Sequence, residues 1–236
     1  MEESALYQQL VLRLIGELNI GAVIFDLDGT LIDNNPWHLQ AWKKYLQEKQ
    51  LHISEENYRK HINGRTNKDA IEYLYGRKMT DEEAMQFALE KEAIYRELYA
   101  PFIKPVEGLL PFLAALQNAG IKMAIATSGI PVNIEFMFTH LPIRKYFDAV
   151  IHSGHIINGK PDPEIYRVAA STLKIPPENC LVFEDAAVGI ASAKAAKMKC
   201  VALTTTQPVS ELGQANFISP DFSAKALLSA IFLPTN

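Results

Sequence analysis

Two aspartates one residue apart, Asp26 and Asp28, follow the apolar run Ala22–Phe25 and lead into Gly29 and Thr30. A second acidic pair, Glu184 and Asp185, closes another apolar run, "NCLVF". Four carboxylates brought into one small pocket would repel one another and take up protons unless a cation neutralised them. Hard oxygen ligands of this kind suit Mg²⁺, which takes one or two carboxylates, some waters and a substrate phosphate. Taken alone, Asp26–Gly29 reads equally as a turn and Glu184–Asp185 as a helix cap; their joint occurrence at two run ends favours the metal. Lys160, in "NGKPDPEIY", stands just ahead of a helical pattern, where anions are favoured. It could hold an anionic substrate group and a carboxylate together. Thr127 and Ser128, in "ATSG", add hydroxyls beside backbone N–H groups able to cradle phosphate oxygens.

The elements that must bring these residues together follow from the pattern between them. "GAVIF", "IKMAIA", "DAVIHS", "NCLVFE", "KCVALTT" and the weaker "ANFIS" read as strands, and helical patterns separate them from Gly108 onward. Such alternation predicts an α/β fold: a Rossmann-like parallel sheet covered by helices, with the ligand crevice beyond the carboxyl ends of the strands. Asp26, Thr127 and Glu184 all fall at those ends. Between Asp33 and Pro105 no convincing strand appears, and "PWHLQAWKKYLQEK" and "DEEAMQFALEKEAIYREL" are strong helical stretches. A small all-helical cap domain, residues 34–104, is therefore expected to rise from the sheet edge. The core would comprise 19–33 and 105–236. Residues 1–18 form an extra amphipathic helix, with Leu6, Leu10, Val11, Leu14, Ile15 and Leu18 on one face, packed on the body or on a second copy of the chain. Connectors near Asp33–Pro36 and Pro101–Val106 are the expected hinges of a cap that closes.

Bulk properties exclude several functions. With 236 residues and a net charge of −4, the chain offers no nucleic-acid or anionic-membrane surface. No apolar stretch reaches the ~18 residues of a membrane span. The acidic, interrupted start is unlike a secretory signal, and Cys180 and Cys200 form no disulfide framework or metal knuckle, so a cytoplasmic location is expected. "GHIINGK" fits part of a phosphate-binding loop, yet Pro161 stands where Ser or Thr is required, and "DLDGTLID" has the wrong offsets for a calcium loop. Both are rejected.

"DLDGT", a Thr after the second strand of the core, a Lys before a helix, and "FEDAAVGIASAKAA" together resemble the four ordered motifs of the haloacid dehalogenase-like superfamily. The match runs from Gly21 onward, and the helical insert resembles the cap of the beta-phosphoglucomutase-like branch. The resemblance implies a phosphoric monoester hydrolase. Asp26 would be the nucleophile, forming an aspartyl-phosphate, and Asp28 the general acid/base. Mg²⁺ would sit on Asp26, the Asp28 carbonyl and Asp185, with Glu184 close by. Gly29, Thr127, Ser128 and Lys160 would bind the phosphoryl group. Dehalogenases of the superfamily commonly lack the second aspartate, so Asp28 favours phosphoryl transfer.

The cap bears on hydrolase against mutase. His38 and Trp42 fall where the mutases carry a His and a Trp, and Lys91 matches a substrate-facing cap lysine; Trp42 reads equally as cap core. The mutases grip the non-reacting phosphate with a cap-loop Arg, but in "INGRTNKDA" that position is Asn67, with Arg65 two residues earlier. The reading is thus an Mg²⁺-dependent phosphatase acting on small phosphorylated metabolites, sugar phosphates first, as a monomer or homodimer. A beta-phosphoglucomutase is the runner-up, and a catalytically silent metabolite-binding protein comes third.

Overall fold

In the computed structural model, residues 2–233 are described. Six parallel strands form one sheet in the order β3-β2-β1-β4-β5-β6: β1 Ala22–Phe25, β2 Lys122–Ala126, β3 Ala149–Ile151, β4 Cys180–Glu184, β5 Lys199–Leu203 and β6 Phe217–Ser219. This is the α/β architecture the alternating pattern predicts, with the weak "ANFIS" signal realised as a short edge strand. β1 is central and wholly buried, which is why it reads as an unbroken apolar run and not as an alternation. Its side chains divide between the two faces. Val23 and Phe25 enter one core cluster, and Ala22 and Ile24 enter the other. On the first face Phe25 stacks on Phe183 at 5.4 Å between ring centroids.

Helices cover both faces. The element α1, Glu2–Leu18, packs on the body against α6, Leu109–Asn118, and α10, Ala224–Phe232. Its buried side is Tyr7, Leu10, Val11 and Leu14, and the Tyr7 hydroxyl reaches the Phe222 carbonyl at 3.1 Å. The apolar face is narrower than the sequence suggests, because Ile15 is 38% exposed. The remaining core helices are α7, Pro131–His140, α8, Glu164–Leu173, and α9, Ala187–Ala195.

Four helices are inserted after β1: α2 Asn35–Glu48, α3 Glu55–His61, α4 Asn67–Tyr75 and α5 Asp81–Tyr99. They surround a separate apolar cluster that includes Trp42, Tyr45, Tyr58, Ile71 and Ala88. The start of α5 is fixed by a reciprocal cap, in which Thr80 accepts from the Glu83 N–H and Glu83 accepts from the Thr80 N–H. Chain enters and leaves the insert side by side, since Ile32 bridges Pro105 and the Val106 N–H donates to the Leu31 carbonyl.

Candidate active site

Strand register determines which side chains meet. Phe25 lies opposite Ile125 on one side and Phe183 on the other, and the Asp26 N–H continues the ladder to the Phe183 carbonyl at 3.0 Å. Asp26 is therefore flanked by the ends of β2 and β4, where Thr127 and Glu184 stand. Asp26, Glu184 and Asp185 are all buried, and each offers an oxygen within 4.8 Å of the others. Lys160 comes from the loop before α8, the segment whose motif imitates a phosphate-binding loop, and is 1% exposed. Its ammonium lies 2.6 Å from Asp26 Oδ1 and 2.6 Å from Glu184 Oε1.

Two glycines make room for these acids. Gly29 has φ +82°, and a Cβ there would collide with the Asp185 carboxylate and the Asn35 amide. At Gly189 a Cβ would collide with the Glu184 carboxylate, which is seated against the first turn of α9. Glu184 is held by protein donors on both oxygens. Lys160 and the Tyr166 hydroxyl donate to Oε1, and the Asp185 and Ala186 N–H groups donate to Oε2.

Three carboxylates thus face one ammonium. Burial pushes Asp26 well above the usual carboxylate range, with Lys160 pulling the other way and the neighbouring acids adding to the rise. Burial, then the Glu184 charge, pushes Asp185 up to about 8. Lys160 moves upward, because the two acids outweigh the effect of its own burial. The residues are short of positive charge and rich in hard oxygen donors, which fits a divalent cation held between Asp26 and Asp185.

Asp28 behaves differently. Burial alone would raise its pKa, but His38, Asn34 and Lys91 outweigh it and hold the carboxyl below its ordinary value. Asn34 Nδ2 donates to Asp28 Oδ1 at 2.5 Å and approaches the Tyr95 hydroxyl at 2.7 Å, while its Oδ1 accepts from the Gly29 N–H. His38 Nε2 lies 3.4 Å from the same aspartate oxygen. Lys91 has only donors, so His38 Nδ1, 3.1 Å from the Lys91 ammonium, must accept, and the ring proton on Nε2 points to Asp28.

The insert closes over this edge. Ser128 Oγ donates to the Gly64 carbonyl at 2.9 Å, and Thr127 Oγ1 accepts from the Gly129 N–H. A cavity of about 60 Å³ remains, lined by Asp26, Asp28 and Thr127 below and by His38, Lys91, Arg65 and Asn67 above. Trp42 belongs to the apolar cluster of the insert and also borders the cavity, with the Lys91 ammonium 4.9 Å from its ring. All the residues singled out in the sequence except Gly29, Lys160, Glu184 and Asp185 line this space, and those four lie beneath it around Asp26.

Sequence reasoning passed over Asn34, Asn35, Asn63, Glu92 and Tyr166. Asn35 Nδ2 donates to Asp185 Oδ2 at 3.1 Å, and its Oδ1 accepts from the Tyr58 hydroxyl. Glu92 accepts from Lys91 at 2.6 Å, Asn67 at 3.0 Å and Asn133 at 2.7 Å. A signal was available for Glu92, since Ala84, Ala88, Lys91, Glu92, Tyr95 and Tyr99 form the buried stripe of α5, and charges on an apolar stripe mark a buried polar pair.

Comparison with known proteins decides the family. The family described as haloacid dehalogenase-like hydrolase matches residues 23–203, most of the chain. The chain belongs to this family. A validoxylamine A 7'-phosphate phosphatase of Streptomyces hygroscopicus subsp. limoneus is 31% identical over 207 residues, covering 85% of this chain and 93% of that protein. A beta-phosphoglucomutase of Bacillus subtilis (strain 168) is 30% identical over 197 residues, covering 80% and 85%. A chloroplastic 5-amino-6-(5-phospho-D-ribitylamino)uracil phosphatase of Arabidopsis thaliana is 30% identical over 196 residues, 83% of this chain but 52% of its own, so the present chain spans about half its length. Among solved structures, a family IA, variant 3 hydrolase from Entamoeba histolytica superposes with a TM-score of 0.78 at 32% identity, covering 90% of this chain and 99% of the other. This haloacid dehalogenase-like hydrolase thus has phosphatases and a phosphomutase for relatives, in keeping with the expected phosphoric monoester hydrolase.

Proposed function

We propose that this haloacid dehalogenase-like hydrolase is an Mg²⁺-dependent phosphatase of small phosphorylated metabolites, sugar phosphates first. The observation that carries the reading is the meeting of Asp26, Glu184, Asp185 and Lys160 beneath a cavity into which Asp28, Thr127 and Ser128 also face. Asp26, deprotonated, attacks phosphorus through the oxygen that Lys160 does not hold. Asp28, ionised in the free site, takes up a proton as the anionic substrate enters and gives it to the departing ester oxygen, leaving an aspartyl-phosphate. Asp28, oriented by Asn34 and His38, then takes a proton from water as the water attacks the intermediate. Thr127 and Ser128, on the cavity wall, hold the phosphoryl oxygens. Lys160, which donates to Asp26, Glu184 and the Ala126 carbonyl beneath the cavity, reaches them by exchanging one of those contacts. Asp26, the Asp28 carbonyl and Asp185 would hold Mg²⁺, which supplies charge neutralisation when bound. Glu184 acts beside them by positioning Lys160 and the loop after β4.

The four inserted helices, residues 34–104, serve as a cap on a core of 19–33 and 105–236. The cavity of about 60 Å³ lies between the core and the inserted helices. An outward swing of the cap on the connectors near Asp33–Pro36 and Pro101–Val106 would widen it for a sugar phosphate. No described helix is long and apolar enough to cross a membrane, and the substrate expected is a small metabolite in a cytoplasmic setting.

The mutase reading has the Bacillus subtilis relative in its favour. Against it, the Asn67 side chain is committed to Glu92 and offers no cation to a second phosphate. The deciding experiment measures phosphate release from phenyl phosphate and sugar monophosphates with and without magnesium, alongside conversion of beta-glucose 1-phosphate to glucose 6-phosphate. Release that needs magnesium and disappears in Asp26→Asn is expected. Isomerisation outpacing release would replace this reading with the mutase.

A further inference from the structure

The cap wall of the cavity has an unusual charge balance. Lys91 and Glu92 are adjacent in sequence, both are about 2% exposed, and their charged groups lie 2.6 Å apart. The Lys91 charge is thereby largely offset within the wall by Glu92, and its second contact is His38 Nδ1. Asn67 donates to the same Glu92 oxygen, and Asn133 to the other. Asn63 borders the same cavity at 7% exposure, and its Nδ2 has no hydrogen-bond partner among the described residues. A buried donor left unmatched is costly, and a ligand oxygen that accepts from it relieves the cost.

We infer that Glu92 makes this wall a reader of neutral hydroxyls, selecting phosphate esters whose leaving group carries hydroxyls and no second phosphate. The inference rests on the hydrolase reading for its substrate. A glycosyl or polyol oxygen can accept from Asn63, and a hydroxyl proton can be donated to Glu92. A second phosphate there would confront the Glu92 carboxylate, whose charge only Lys91 offsets, and placing like charges together weakens binding. Arg65 is the remaining cation on the cavity wall. It also borders the outer clefts, and among the described residues no ion pair joins it to Glu92.

The test measures binding apart from turnover. Asp26→Asn protein in magnesium buffer is titrated by calorimetry with glucose 6-phosphate and with glucose 1,6-bisphosphate. The monophosphate is expected to bind at least about tenfold more tightly. Adding Glu92→Gln should narrow that preference by roughly fivefold or more, because the Lys91 charge is then released to the cavity. Adding Asn63→Ala should weaken glucose 6-phosphate but not phenyl phosphate, whose leaving group has no hydroxyl. Equal binding of the two sugar esters by the Asp26→Asn chain overturns the inference, and loss of the bisphosphate on Arg65→Ala would then identify its holder. That comparison needs no Glu92 variant, so a misfolded one does not shield the claim. Selective binding with no phosphate release by the native chain would sink the hydrolase reading and leave this inference standing.

Discussion

Asp28 stays acidic where burial alone would make it a weak acid, and the reason is a set of donors supplied by the insert. Asn34 and His38 both direct protons at one of its oxygens. Replacing Asn34 with Ala removes a charge-assisted hydrogen bond to the ionised form, so the Asp28 pKa is expected to rise. A carboxyl-carbon NMR titration of the variant beside the native chain checks this, and an unmoved Asp28 would show that Asn34 does not stabilise the anion. Asp28 itself was legible in the sequence, as were Asp26, Glu184, Asp185 and Lys160. Each follows an apolar run or precedes a helix, so its position was fixed by the element beside it. Asn34 and Asn63 were not legible, because an amide in a loop shows its partner only once distant segments are packed.

At the scale of elements, the parallel sheet could be read because a strand buried on both faces leaves an unbroken apolar run. The helices α3 and α4 were not resolved individually; seven and nine residues long, they show few turns of periodicity. The face of α1 was read too broadly. Leucines recur around much of that helix, and only contact with α6 and α10 shows that Leu10 is sealed while Ile15 meets solvent. The helix is accordingly a structural part of the core and not a loose extension. Leu10→Ala should cost about 2–5 kcal/mol, the usual range for a buried leucine cut to alanine. Urea unfolding followed by circular dichroism measures it. A loss under about 0.5 kcal/mol, the range of ordinary surface changes, would mean that α1 contributes little to folding.

Across the whole molecule, the buried acids tie stability to both protons and metal. Asp26 and Asp185 have raised pKa values in the folded chain, Asp185 to about 8, against an ordinary value of about 4 when unfolded. Between those values the folded chain holds more protons than the unfolded one. Stability rises with pH only where the unfolded state binds more, so the metal-free chain should lose stability as pH climbs through this window. A divalent cation needs the same carboxylates deprotonated, so its binding competes with protons at the acidic end and meets little competition at the upper end. Magnesium at a hundredfold excess over its Kd adds about 2.7 kcal/mol, roughly 5–10 °C in Tm for a chain of this size. That gain should be largest near the top of the window and shrink toward its bottom. Thermal melts with magnesium chloride and with EDTA across the range measure both slopes at once. In Asp185→Ala the magnesium shift should vanish and the metal-free slope flatten. A shift of the same size at both ends would mean that the ion binds elsewhere than on these acids.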